Sequence, residues 1–482
     1  MLFNSLHFLI FFPIVVLLYF VLPHRVRWLL LLAASVYFYM AWKPIYIFLL
    51  LASVSVDWLA ALRINGSKDD KTRKYWLYVS LGINLLILFI FKYSNFFLTS
   101  ANEVVNAFGF NISLPGTSLI LPLGISFYTF QAMSYAIDVY RKRISAEKSF
   151  LRYFLFIMFF PQLVAGPIER AGHLLPQFAV RQQFSYERVV SGLTLMAWGM
   201  FQKVVIADRL AVFVDQAYGR PELWSGPALL IATIFFAFQI YCDFAGYTDI
   251  AIGAARVFGI DIMQNFRRPY FATSIPEFWK RWNISLSTWF WDYVYIPLGG
   301  NRVPKFRWAA NILTTFLLSG FWHGANWTFL IWGGLNGVYT LLFKATGQLG
   351  KKMFSWLHPV LAKGLAIVFT FILTLIAWVL FRANNIKDAW YVFTHAAKGW
   401  GEVISNPVIL LLNQPRLDFI IAFASIIMLL GVHLIEELTL VPIVERIRKW
   451  PVWLRWGTYI IVIWLLIVLG KFGERQFIYF VF

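Results

Sequence analysis

Cysteine is almost missing from this chain: Cys242 is the single thiol in 482 residues. One thiol closes no disulfide within the chain and builds no cysteine-based metal site. No His/Cys/carboxylate cluster at ligand spacing appears either, so no metal is expected. Charge is the second scarcity, at 13% of residues, and it is lopsided, with 42 Lys and Arg against 23 Asp and Glu. A water-soluble domain carries about a quarter of its residues charged. The sequence also has no fixed-period repeat, no low-complexity linker and no stretch that reads as a soluble domain. The formal charge of +19 therefore has no basic soluble surface on which to act. Nucleic acid is excluded as a partner, and the basic residues are assigned to cytoplasmic loops and anionic lipid headgroups.

Apolar residues fill the space, at 60% of the chain with 19% aromatic. Apolar runs of bilayer-crossing length recur at 6–22, 28–42, 45–62, 75–91, 119–137, 188–207, 228–259, 312–343, 364–381, 419–438 and 456–470. The run at 6–22 has no basic leader and no cleavage site, so it is expected to be a first span and not a signal peptide. The stretch "FLFIMFFPQLVAG" (154–166) is short and interrupted by Pro and Gly, as in a re-entrant or broken helix. The expected fold is an all-α polytopic membrane protein of about 11–13 transmembrane helices with re-entrant or interfacial helices. It forms a single domain over 1–482, with N-terminal helices to 230, a central block at 231–345 and C-terminal helices beyond. The loops at 63–74 and 141–152 carry five basic residues each, and 344–363 and 446–455 carry four each. Placing all four in the cytoplasm leaves both chain ends outside.

Polar residues concentrate between 239 and 302. Gln239, Asp243 and Tyr247 recur at i, i+4 and i+8, one stripe of a helix. A carboxylate in such a helix faces a cavity or holds a neighbouring helix, and Asp249 is open to the same two accounts. Ser274 and Glu277 have capping-box spacing, so a helix starts there. It is basic and aromatic together, with Trp279, Lys280, Arg281 and Trp282, as suits a membrane interface. Interfacial anchoring alone does not require the Asn283, Ser285 and Ser287 that follow. Further on, His323 stands in "SGFWHGANWTF" between Trp322 and Trp327. A histidine among aromatic rings is either a hydrogen-bonded core residue or a catalytic base. Its combination with the polar, basic-aromatic helix favours the second.

The segments "QIYCDFAGYTDIAIG", "NFRRPYFATSIPEFWKRWNISLSTWFWDYVYIPLGGNR" and "FWHGANWTFLIWGGLNG" resemble the central block of the membrane-bound O-acyltransferases, in the bacterial alginate O-acetylation-type branch that acylates envelope polysaccharides. "MLFNSLHFLIFFP" and "FFPQLVAGPIERAGHLLPQF" extend the resemblance over most of the chain. It implies His323 as general base and Asn283 as the family's second, variable position. Histidine is common there in this branch, so asparagine points to positioning the acceptor or the carbonyl, not to proton transfer. Gln239, Asp243, Tyr247, Trp282, Ser287, Trp322 and Trp327 become candidates for the pore and substrate contacts. Lys280 and Arg281 become candidates for attracting an anionic donor such as acetyl-CoA or another acyl thioester, the donor substrate; no bound cofactor is implied. The closing "RQFIYFVF" resembles a C-terminal aromatic motif whose tyrosine, here Tyr479, is either an acyl relay or an interfacial anchor.

The resemblance further implies a bacterial inner-membrane location and an extracytoplasmic, SGNH-type acyltransferase or other polysaccharide-modifying partner. Two other classes remain open at this point. A transporter or scramblase would line a permeation path with the same polar residues, and a structural scaffold of a polysaccharide export complex would pack His323 as core.

Overall fold

The computed structural model describes residues 1–110, 114–163, 166–353, 356–473 and 477–478, with side chains described except at 348–353. Among the described residues every regular element is a helix. Among the described residues seven helical runs are long and apolar enough to cross a bilayer: Tyr46–Gly66, Asp70–Ala107, Tyr186–Gly219, Gly226–Phe258, Pro359–Arg382, Arg416–Thr439 and Val452–Leu469. That is fewer than the sequence suggests. Leu6–Val21, for example, has 16 residues, about 24 Å of helix against about 30 Å of hydrocarbon.

The chain forms two compact units. The first comprises Met1–Leu193 and Ile250–Met263. Its helices are α1 (Leu6–Val21), α2 (His24–Met40), α3 (Tyr46–Gly66), α4 (Asp70–Leu88), α5 (Ser94–Ala107), α6 (Ile125–Tyr140), α7 (Phe150–Met158), α8 (Phe160–Leu163) and α9 (Ala171–Leu174). Buried polar groups tie them together. The Asp57 carboxylate on α3 accepts from Ser80 Oγ at 2.5 Å and Asn84 Nδ2 at 2.7 Å on α4. Ser35 Oγ on α2 accepts the Phe160 N–H at 3.0 Å. The break between α7 and α8 falls at Phe159, two residues before Pro161, whose ring would clash with the carbonyl of Ile157 in a continuous helix. The interruption expected near 154–166 is thus present.

The second unit comprises Thr194–Asp249 and Gln264–Phe482. α10 (Tyr186–Met200) enters it and continues through a π-helical segment, Phe201–Ala207, into α11 (Asp208–Gly219). α12 (Gly226–Phe258) follows, then two short helices, α13 (Ile275–Arg281) and α14 (Ile284–Phe290). After them come α15 (Lys305–His323), α16 (Trp327–Met353), α17 (Pro359–Arg382), α18 (Ile386–His395), α19 (Trp400–Ser405), α20 (Arg416–Thr439), α21 (Ile443–Arg448) and α22 (Val452–Leu469).

The single span expected over 312–343 is two helices. α15 ends at His323, and α16 begins at Trp327 after Gly324–Asn326. Three glycines let the two backbones close on one another. A Cβ at Gly320 would stand 2.3 Å from the Phe329 carbonyl oxygen, and one at Gly333 2.4 Å from that of Phe316. At Gly337 a Cβ would come within 3.0 Å of the Leu313 side chain. Gly333 and Gly337 form a small-xxx-small pair, the means of close helix packing where lipid removes the hydrophobic drive between helices.

Candidate active site

The hairpin of α15 and α16 sets His323 at the last turn of a helix, 2% exposed. Aromatic rings crowd the imidazole, among them Trp322 and Trp332 with centroids at 5.0 Å and Phe381 at 5.4 Å, each near edge-to-face. Such pairs contribute about 0.5–1.5 kcal/mol each beyond buried area, so the ring is held in one orientation. Trp332 in turn stacks on Trp378 at 6.2 Å, and Trp378 meets Trp282 at 5.0 Å. One continuous aromatic cluster therefore runs from His323 to the residue preceding Asn283.

Asn283 stands at a break that the sequence did not announce. The expected single helix stops at Arg281 and resumes at Ile284, with Asn283 left-handed at φ +41°. Asparagine is among the few residues that visit this region readily. Although it occupies the N-cap of α14, its side chain does not cap. Asn265 does so instead, its backbone carbonyl accepting the Ile284 N–H at 2.9 Å and its Oδ1 accepting the Ser285 N–H at 3.0 Å. Asn283 is 1% exposed, and neither its amide oxygen nor its amide nitrogen has a hydrogen-bond partner among the described residues. Leaving such a group unsatisfied costs about 1–3 kcal/mol, which marks it as a place for a ligand or water.

The helix start before it follows the expected capping box in part. Ser274 Oγ accepts the Glu277 N–H at 3.3 Å, while the Glu277 carboxylate turns back to the Thr273 N–H at 2.8 Å. Burial would raise the Glu277 carboxyl, yet the Thr273 hydroxyl and N–H and the Arg281 guanidinium hold it below its ordinary value. Arg281 is enclosed by carboxylates, at 2.6 Å from Glu277 and 3.0 Å from Glu437. Its charge is matched within the protein, whereas Lys280 is exposed.

A cavity of about 440 Å³ opens in the same unit, lined in part by Lys203, Asp208, Gln239, Asp243, Phe329 and Arg382. Gln239 and Asp243 thus share a wall, as their helical spacing predicts. Tyr247 lies further along α12, its ring 5.1 Å from that of Phe477. His323 is not among the lining residues; Phe329 packs at 4.9 Å on Phe381, which packs on His323, so the histidine sits one ring behind the wall. Trp327 is half exposed at the start of α16. Ser287 Oγ donates to the Trp282 carbonyl at 3.2 Å, and Asp249 accepts from Gln202 Nε2 at 2.8 Å. Tyr479 lies outside the described residues.

Sequence reasoning missed Lys203. Its ammonium is 2.9 Å from Asp208 and 2.5 Å from Asp243, buried with both carboxylates. The signal was present: "FQKVVIADRL" places a lysine and an aspartate inside an apolar run, where an ionisable residue implies a partner.

Comparison with known proteins identifies the family. Residues 139–383 match the membrane-bound O-acyltransferase family, MBOAT. The chain is 41% identical over 397 residues to the probable alginate O-acetylase of Pseudomonas aeruginosa, covering 82% of this chain and 74% of that one. It is 37% identical over 423 residues to the peptidoglycan O-acetyltransferase of Helicobacter pylori, covering 81% and 78%. It is 28% identical over 255 residues to the teichoic acid D-alanyltransferase of Bacillus subtilis, covering 50% and 64%. These likenesses decide for an acyltransferase over a transporter or a scaffold. The chain belongs to the membrane-bound O-acyltransferase family.

Proposed function

We propose that this protein moves an acetyl group from a cytoplasmic thioester, acetyl-CoA, toward O-acetylation of an envelope polysaccharide, with His323 as general base. The acceptor hydroxyl gives its proton to the imidazole as its oxygen attacks the thioester carbonyl. The tetrahedral oxyanion then collapses, the C–S bond breaks, and the leaving thiolate takes the proton back from the imidazolium. Asn283 Nδ2 donates to the developing oxyanion or orients the acceptor. The rings of Trp322, Trp332 and Phe381 keep out water that would hydrolyse the acyl group. A helix C-terminus carries partial negative charge, so the end of α15 favours the transient imidazolium.

The observation that carries the reading is the aromatic cluster that runs from the buried His323 to Trp282, beside the unpartnered amide of Asn283. Acetyl as the group and a polysaccharide as the destination follow from the names of the two relatives at 41% and 37% identity. In this scheme Tyr479 takes the acetyl first, as a phenyl ester, and an SGNH-type partner outside the membrane removes it.

The test is turnover of radiolabelled acetyl-CoA by purified protein in detergent. His323→Ala is expected to lower transfer by about 10²–10⁴-fold, the range for a general base, with the size-exclusion profile unchanged. Turnover at the wild-type rate would return His323 to the packed core. Label on wild-type protein that disappears in Tyr479→Phe supports the relay; equal label on both removes it.

A further inference from the structure

Two consecutive residues of the π-helical segment hold the residues that follow α22. The Val204 carbonyl accepts the backbone N–H of Lys471 at 2.9 Å. Lys203 holds Asp243 at 2.5 Å, and Asp243 Oδ2 accepts the backbone N–H of Ile478 at 2.7 Å, in a buried hydrogen bond between residues 235 positions apart. Phe477 is fully buried, its ring 5.3 Å from Phe244 and 5.1 Å from Tyr247. Ile478 lines the cavity with Lys203, Asp243 and Gln239.

We infer that the Lys203–Asp243 pair is a main-chain docking site that seats the C-terminal segment at the cavity, and that Asp243 is a positioning residue for acyl transfer. The site recognises backbone: a carboxylate receives an amide N–H, and the aromatic pair Phe244 and Tyr247 receives one ring. A charged acceptor makes a stronger hydrogen bond than a neutral one, and the Lys203 ammonium lies 2.5 Å from the Asp243 carboxylate. Asp208 neutralises Lys203 from the other side, at 2.9 Å, so the ammonium keeps a counter-charge when Asp243 is replaced. Tyr479 is the next residue along the sequence, and the consequence of seating Ile478 for catalysis rests on the relay proposed above.

The first measurement needs no variant. Hydrogen–deuterium exchange on the wild-type protein, resolved with overlapping C-terminal peptides, is expected to show the Ile478 amide protected at least 100-fold over an unstructured peptide. Exchange at the unstructured rate overturns the docking site. The second uses Ile478→Cys in a Cys242→Ala background, which keeps the N–H and gives one thiol. Its maleimide labelling is expected to accelerate at least tenfold when Asp243→Leu is added, and to stay within twofold with Asp243→Asn, whose amide oxygen still accepts. An unchanged rate in Asp243→Leu overturns the proposal. In otherwise wild-type protein, Asp243→Leu is expected to lower kcat for acetyl transfer at least tenfold with KM for acetyl-CoA within twofold. Faster labelling with unchanged kcat leaves the docking site standing and removes the relay, so the two failures are distinct.

Discussion

Gly320 and Gly333 meet across the α15–α16 hairpin so closely that a Cβ on Gly320 would stand 3.1 Å from Gly333 Cα. That approach lets α16 carry Trp332 against His323. Gly333→Ala is expected to lose about 1–3 kcal/mol, the range for overpacking a tight contact, since its methyl would stand 2.4 Å from the Phe316 carbonyl oxygen. The change exceeds the gain of up to about 1 kcal/mol that alanine brings to a helix. Gly347, on the same helix with nothing within 4 Å, is the control: its alanine variant is expected to raise the thermal midpoint. If both variants shift the midpoint alike, the close approach is not what holds the hairpin.

Asn283 separates chemistry from backbone strain. Asn283→Ala removes the amide and places a non-glycine, non-asparagine residue at φ +41°, a strain of about 1–2 kcal/mol. Asn283→Gly removes the amide without the strain. Both are expected to lower acetyl transfer by about 10²–10³-fold, as loss of one oxyanion donor does, while the glycine variant unfolds at a higher temperature than the alanine variant. Activity that follows stability across the pair would make Asn283 a turn residue only.

Arg281 is expected to be structural. Its guanidinium is 10% exposed between Glu277 and Glu437, and breaking one partner of a buried pair costs about 3–5 kcal/mol. Arg281→Met should therefore lose about 3 kcal/mol, the low end, because the Glu277 side chain is 31% exposed. Lys280→Ala should leave the thermal midpoint in place and raise KM for acetyl-CoA. Equal KM in Lys280→Ala and wild type would remove that lysine from donor capture.

In the first unit, His173 Nδ1 lies 2.9 Å from Glu169 Oε2. The Glu169 hydrogen bond raises the imidazole above its ordinary 6.5, against the opposing effect of burial. A raised value in the folded protein means stability that is fully present below 6.5 and lost as pH climbs through the raised value. With His173 about half exposed, the effect is at most about 1 kcal/mol. Thermal midpoints of wild type and His173→Gln should differ at pH 5.5 and converge by pH 8.5. A constant gap would remove the ion pair from the stability of the first unit.

Much of this was legible from pattern. Apolar run length located the seven crossing segments, because lipid demands about 20 residues per span, and Ser274 announced the start of α13. Residue spacing put Gln239 and Asp243 on one wall. The breaks were not legible. "GAN" at 324–326 sits in an apolar run that hydropathy reads as continuous, and only the backbone contacts of Gly320 and Gly333 show two helices. Asn283 reads as one polar residue of a helix, since capping by the distant Asn265 is invisible along the chain. The Asp243–Ile478 hydrogen bond joins two segments whose sequences carry no mark of each other.

The π-helical segment has a consequence for registration. In a regular helix, residues 203 and 208 would point about 140° apart, at 100° per residue. Here the Asp208 N–H reaches the Lys203 carbonyl, the i→i+5 bond of a π turn, and the two side chains fall on one side. The segment works as a one-residue phase shifter between α10 and α11. The wide turn brings an ammonium and a carboxylate to 2.9 Å. Were residues 201–207 wound as a regular helix, hydropathy and length would be unchanged and Lys203 and Asp208 would still fall out of step.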